Sequence, residues 1–161
     1  VLGDVDPEEI TGVGANLSED LTKNKAQVIR DAIALNKPDK NDPVDILSKV
    51  GGLEIAAMTG VMLAGAACHV PVVVDGYIST ASAAIAIALK PEVKDYLICS
   101  HASDEKGAKF GSELLDFAPF LHMDMRLGEG SGAALAFYLL DAAVAMNRDM
   151  ATYADVNMDV V

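Results

Sequence analysis

The chain has 161 residues, 52% of them hydrophobic, which is enough for one ordinary domain with a buried core. Its formal charge of −12 argues against a nucleic-acid surface or an anionic membrane as partner, because both need clustered Lys and Arg. An anionic ligand would have to be held locally, by backbone N–H groups and a few chosen cations.

The acidic opening, Asp4 to Glu9, leads into a turn-forming cluster, Gly12-Val13-Gly14-Ala15-Asn16. Ser18, followed by Glu19 and Asp20, starts a helix to about Leu35 with Leu21, Val28, Ala32 and Leu35 as its apolar stripe. Six of the twelve basic residues lie between Lys23 and Lys49, as suits a solvated helical face, and this is also where a phosphate would find a Lys. Asp42 as N-cap with Pro43 in the first turn opens a short helix through Val50, stopped by Gly51-Gly52. Glu54 to Ala67 reads as a third helix, apolar on nearly all sides and suited to packing inside a larger body. Ile55 to Val74 has no charged residue and is long enough to raise the question of a membrane span. Gly60, Gly65, His69 and Pro71 cut it, so it is read as a buried helix and then a buried strand. Cys68 and Cys99, without C-x-x-C spacing, read as buried free thiols in a reducing compartment, by default the cytoplasm. The chain opens at Val1 with no Met and no signal-peptide pattern, and is read as a piece of something longer.

From Pro71 onward a pattern repeats. Pro71–Val74 ends in Asp75-Gly76, followed by Ser79-Thr80 and a helix from Ala81 to Leu89; Asp95–Cys99 ends in Ser100-His101-Ala102-Ser103, followed by a helix start at Asp104-Glu105. Phe120–Met125 ends in Arg126-Leu127-Gly128-Glu129-Gly130, followed by a helix from Ala133 to Met146 with Ser131 as its N-cap. Three strand-loop-helix units predict an α/β fold, a parallel sheet with helices on both faces. In such a sheet the ligand lies outside the carboxyl ends of the strands, so the three polar elbows are expected to face one crevice, each pointing a helix N-terminus at it.

Glu129, held between glycines, suits a general base whose pKa rises through partial desolvation by neighbours such as Leu127. Asp75 fits two roles, holding sugar hydroxyls or capping the loop of an Asp-Gly turn. His101 fits a proton carrier or metal ligand less well than a structural hydrogen bond, since no second His or carboxylate stands at a ligand spacing. Ser103 is expected to cap the helix that follows it, and His69 and His122 to be core or edge residues. No G-x-x-x-x-G-K-[ST], H-E-x-x-H or G-x-S-x-G occurs, and Gly12-Val13-Gly14 alone is a weak phosphate-loop signal.

Four blocks, Val50–Met58, Pro71–Thr80, Ser100–Glu105 and Met125–Ala133, resemble in order and spacing the nicotinate-nucleotide:dimethylbenzimidazole phosphoribosyltransferase family of cobalamin assembly. The resemblance implies a Rossmann-like parallel sheet and transfer of phosphoribosyl from nicotinate mononucleotide to a benzimidazole nitrogen, inverting the anomeric carbon from β to α. It implies Glu129 as catalytic base, Asp75, Gly76, Ser103, Gly128 and Gly130 at the nucleotide, Leu127 at the base pocket, and Gly12, Gly14 and Lys25 at the phosphate. It implies no metal or other cofactor and a homodimer. Two departures stand out: the phosphate loop normally reads closer to G-R-G-T-G, and a family member is about twice this long, with a second important glutamate in its N-terminal half. Residues 1–161 are therefore read as the C-terminal catalytic portion, with Ala151–Val161 part of a small helical subdomain. Two alternatives stay open: a phosphonucleotide-binding subunit without turnover, and the same transfer to another azole, a purine or a phenol.

Overall fold

The computed structural model describes residues 1–12 and 19–156, with the side chains of residues 19–23 excepted. The loop residues 13–16, including Gly14, the Ser18 cap, the Leu21 side chain and the last five residues lie outside that set. The elements in chain order are α1 (Pro7–Ile10), α2 (Glu19–Asn36), α3 (Pro43–Val50), α4 (Leu53–Ala67), β1 (Val72–Val74), α5 (Tyr77–Leu89), a 3₁₀ turn (Pro91–Tyr96), β2 (Leu97–Cys99), β3 (His101–Ser103), α6 (Lys106–Leu115), β4 (Leu121–Met125) and α7 (Ser131–Asp149). The result is a mostly helical α/β fold with short parallel strands.

Strands form within the three expected runs, though Asp95 and Tyr96 fall in the 3₁₀ turn, and a fourth strand, β3, forms where a polar elbow is expected, so the pairing differs from a single three-stranded ladder. β1 pairs in parallel with β2, and β3 in parallel with β4. Ser100 is the switch between the two ladders: its N–H donates to Val74 O (2.9 Å) and its carbonyl accepts from Leu121 N (3.1 Å). The central segment therefore has β1 as neighbour before Ser100 and β4 after it. All strand ends still run the same way, which is what places the loops after β1, β3 and β4 together.

The core is small and lies between α4, α5, α6, the 3₁₀ turn and β1, with Met62, Val74, Ala83, Ala86, Val93 and Leu115 at its centre. Alanines on α5 allow α4 to approach closely, and the β-branched Val72–Val74 suits a pleated, enclosed strand. On α2 the expected stripe holds only in part: Ala32 is half-buried, but Val28 (57%) and Leu35 (81%) face outward, while Ala26 is buried and Ile33 half-buried. α4 likewise keeps Leu53 and Val61 exposed. Periodicity marks an apolar face without saying what covers it.

Local signals are read back well at α3. Asp42 Oδ1 accepts from Val44 N (3.0 Å) and Asp45 N (3.1 Å), Pro43 fills the first position, and Gly51 closes the helix. The opening segment is tied down by charge: Arg30 on α2 pairs with Asp6 and Glu8, and Lys106 Nζ donates to Glu8 O (2.6 Å). Arg30 holds the Asp6 carboxyl below its usual value. A depressed carboxyl adds stability above its unfolded pKa and loses it as pH falls through the folded one, so this tether weakens only in acid.

The thiols differ from the expectation that both are buried. Cys99 at the end of β2 is buried, and burial pushes its thiol up to about 11, but Cys68 at the end of α4 is exposed. At neutral pH an alkylating reagent is expected to label Cys68 in the folded chain and Cys99 only after unfolding, as read by mass spectrometry. His69 and His122 are also exposed, His69 bonding Tyr96 Oη through Nδ1 at 2.6 Å.

Candidate active site

The segments after β1, β3 and β4 meet at a cleft of about 830 Å³, within the range of small-ligand sites. Asp75, Gly76, Ser103, Leu127, Gly128, Glu129 and Gly130 all line it, and from the N-terminal side so do Gly12 and Lys25. Every predicted site residue inside the described set therefore reaches one cleft. Arg126 and His101 line it too. Sequence reasoning places both in elbows facing one crevice but assigns neither of them a ligand.

The Glu129 turn is built from three successive left-handed residues, Gly128 (φ 75°), Glu129 (φ 58°) and Gly130 (φ 76°). A Cβ at Gly128 or Gly130 would meet nothing within 4 Å, so glycine is required there for conformation and not for space. Glu129 has no such exemption and carries the strain of a β-carbon at positive φ, on the order of 1 kcal/mol. The strained carboxylate is exposed at the cleft mouth, and Leu127 beside it is 75% exposed, so the desolvation expected from Leu127 is not supplied within this chain.

Three helix starts differ from their sequence-based placement. Gly130, not Ser131, is the N-cap of α7, and Ser131 Oγ donates back to Gly128 O (2.7 Å). The capping carboxylate comes from across the cleft: Asp75 Oδ2 accepts from Gly130 N (3.2 Å) and Oδ1 from Ala133 N (2.9 Å). Neither role that the sequence suggests for Asp75 matches this one, because a contact 58 residues apart in sequence is invisible to local pattern. Replacing Asp75 by Ala should destabilise the chain by about 1–2 kcal/mol in urea unfolding and loosen the turn.

α5 begins at Tyr77, four residues before the expected start, because Ser79 and Thr80 turn their hydroxyls back onto Gly76 O (2.9 Å each) and so stay helical. This puts Gly76 at the N-cap of α5, with the helix N-terminus at the cleft. Ser103 is not the cap of α6; Glu105 is, and Ser103 Oγ accepts from Glu105 N at 3.3 Å. The chain stays extended through Ser103 because Asp104 N still donates to Met125 O on β4 (2.9 Å).

Lys25 and Arg126 supply cations to the cleft, and the acids facing it are Asp75, Glu105 and Glu129. Tyr77, half-buried near Glu105, has its phenol pushed up by burial first and by that negative charge second. Among the described residues no group of three His, Cys, Asp or Glu side chains is arranged to hold a metal ion. Nor is any described helix long and apolar enough to cross a membrane.

A parallel α/β fold whose strand ends gather a glycine-framed carboxylate, helix N-termini and two cations around one cleft suits the binding of a small anionic ligand. A family model described as Phosphoribosyltransferase matches residues 1–158, and the chain belongs to that family. It is 54% identical over 160 residues to the nicotinate-nucleotide--dimethylbenzimidazole phosphoribosyltransferase of Alkaliphilus metalliredigens, covering 99% of this chain and 46% of that protein. To the enzyme of the same name from Clostridioides difficile it is 50% identical over 158 residues, covering 98% and 45%. The crystal structure of CobT from Thermus thermophilus superposes with a TM-score of 0.90 at 34% identity, over 99% of this chain and 47% of that one. These matches bear out the family resemblance carried by the four sequence blocks. The chain spans a little under half the length of the relatives it matches.

Proposed function

We propose that this chain is the C-terminal catalytic portion of an enzyme that transfers phosphoribosyl from nicotinate mononucleotide to 5,6-dimethylbenzimidazole, giving α-ribazole 5′-phosphate and nicotinate. The observation that carries the reading is the Glu129 turn: a strained, glycine-framed carboxylate facing a cleft that also holds Lys25 and two helix N-termini. One benzimidazole nitrogen attacks C1′ from the face opposite nicotinate, forming the new C1′–N bond. The C1′–nicotinate bond breaks with its electron pair going to the pyridine nitrogen, which loses its positive charge. The proton on the second benzimidazole nitrogen passes to the Glu129 carboxylate, so the product base ends neutral. Lys25 and Gly12, with Gly14, hold the phosphate; Asp75, Gly76, Ser103, Gly128 and Gly130 shape the nucleotide site, and Leu127 borders the base. Proximity and alignment of the two reactants would supply about 7–11 kcal/mol of barrier lowering.

In the longer protein we place these strands in a Rossmann-like parallel sheet covered on both faces, and the segment after α7 in a small helical subdomain. Accessible surface supports further cover: the chain exposes 10400 Å², against about 7,700 Å² for a compact monomer of its mass. A homodimer and a cytoplasmic location are the corresponding assignments for the whole enzyme.

The test is turnover by the full-length protein carrying this segment, with nicotinate mononucleotide and a panel of 5,6-dimethylbenzimidazole, other azoles, purines and phenols, separated by chromatography. α-Ribazole 5′-phosphate as the main product supports the assignment, and a different acceptor revises only the base. A folded protein that binds nicotinate mononucleotide but turns over with none of them would be a binding subunit, a reading that the departures at Gly12–Asn16 motivate.

A further inference from the structure

The imidazole of His101 forms the floor of the cleft. Its side chain is 1% exposed, yet it lines the cavity, lying beneath the first turn of α7 and facing the N-cap of α5. Its protonation pattern follows from the groups around Nδ1. The Ser100 hydroxyl has a single hydrogen, which we assign to a backbone carbonyl, Val74 O at 2.8 Å with Asp75 O also in reach at 3.2 Å. With that assignment Ser100 Oγ accepts from His101 Nδ1, 3.0 Å away, and the Asp75 carboxylate 3.9 Å from the same nitrogen also favours a proton there, so neutral His101 is assigned the Nδ1–H tautomer. Nε2 is left with a lone pair. Among the described residues it has no hydrogen-bond partner, and none of their sealed side-chain nitrogens or oxygens lacks one, so Nε2 keeps contact with the cleft.

What stands before Nε2 is Gly76. A Cβ there would lie 3.7 Å from His101 Nε2 and 4.0 Å from Ser103 Oγ, and φ at Gly76 is −116°, which any residue adopts. Conformation does not require glycine at 76. The missing side chain leaves room for another group between the imidazole and the Ser103 hydroxyl.

We propose that His101 is a ligand-binding residue whose Nε2 accepts a hydrogen bond from a pentose hydroxyl lying against Gly76, an assignment that rests on the phosphoribosyl-transfer reading. A lone pair accepts from a hydroxyl and repels an unprotonated phosphoryl oxygen, so the sugar is the part of a phosphoribosyl group that suits this position. The Ser100 bond fixes the ring so that no reorganisation is needed when the ligand arrives.

The experiment uses the full-length protein carrying this segment, with ribose 5-phosphate and inorganic phosphate as probes. ¹⁵N NMR of the histidine rings should show His101 as the Nδ1–H tautomer and a change at its Nε2 when ribose 5-phosphate, but not inorganic phosphate, is added. His101→Asn keeps an N–H for Ser100 Oγ and removes the Nε2 acceptor; calorimetric affinity for ribose 5-phosphate should fall roughly fivefold to tenfold while affinity for inorganic phosphate holds. Gly76→Ala adds a methyl at ordinary contact distance, so the fold should survive while ribose 5-phosphate affinity drops at least as far. An Nε2-protonated ring in the complex, an equal response to inorganic phosphate, or unchanged ribose 5-phosphate affinity in a folded His101→Asn protein would overturn the assignment. Wild-type turnover on the same sample separates the failures: turnover with unchanged His101→Asn binding overturns the histidine alone. No turnover with any acceptor overturns the transferase reading alone, and the ribose 5-phosphate affinities of wild type and His101→Asn then decide the pentose assignment.

Discussion

Glu129→Gln in the full-length protein should lower kcat for phosphoribosyl transfer by about 10²–10⁴, the usual worth of a positioned general base, while KM for nicotinate mononucleotide moves by less than about threefold. The substitution is nearly isosteric and leaves the positive φ in place, so it removes proton acceptance and little else. The complementary variant is Glu129→Gly. It deletes the base and also the β-carbon that φ 58° disfavours, so stability should rise by up to about 1 kcal/mol as activity is lost. A residue kept at a strained position against its own stability is the pattern expected of a functional one. The measurements are steady-state kinetics and urea unfolding on the same preparations. Retention of kcat within twofold in a folded Glu129→Gln protein would put the base elsewhere.

Gly132→Ala should be the most damaging small substitution at the site, costing about 1–3 kcal/mol by overpacking and lowering turnover because the Glu129 turn moves with α7. Two effects of opposite sign compete. Alanine is favoured over glycine in a helix interior by about 1 kcal/mol, less this close to the N-terminus. Against that, a Cβ at 132 would fall 2.5 Å from His101 Cε1 and nearer still to Nδ1, on a ring that is buried and fixed by Ser100. The ring cannot swing away without breaking that bond, so the clash wins. His101→Ala removes the obstacle, and the double variant should be less destabilised than the two single costs added together. Additive costs in urea unfolding would mean that α7 does not rest on the imidazole.

The two predictions concern one construction. Asp75 takes the N–H groups of Gly130 and Ala133, and His101 supports Gly132 from below, so the first turn of α7 is held at three successive points. The left-handed turn that presents Glu129 emerges from that anchored end. Residues from the loop after β1, from β3 and from the turn before α7 thus set the position of a single carboxylate.

What sequence alone determined was local and chemical. Asp42-Pro43 and Gly51 marked both ends of α3 because capping is a matter of a few adjacent residues. Val72-Val73-Val74 declared a strand because β-branched side chains suit little else there, and the glycines flanking Glu129 announced positive φ. The polar elbows could be assigned to one crevice since parallel strands with short connections leave them no other place. Tertiary structure decided whatever depends on partners distant in sequence. It split the central strand at Ser100 between two neighbours and turned Asp75 into the cap of a helix 58 residues away. It moved the starts of α5, α6 and α7 from where their Ser and Thr residues suggested, because those hydroxyls bond back to nearby carbonyls or serve a loop. It also placed His101 under Gly132 with its acceptor nitrogen facing Gly76. Hydrogen bonds and close contacts across the cleft have no signature in spacing, since each is settled by which surfaces meet once the chain has closed.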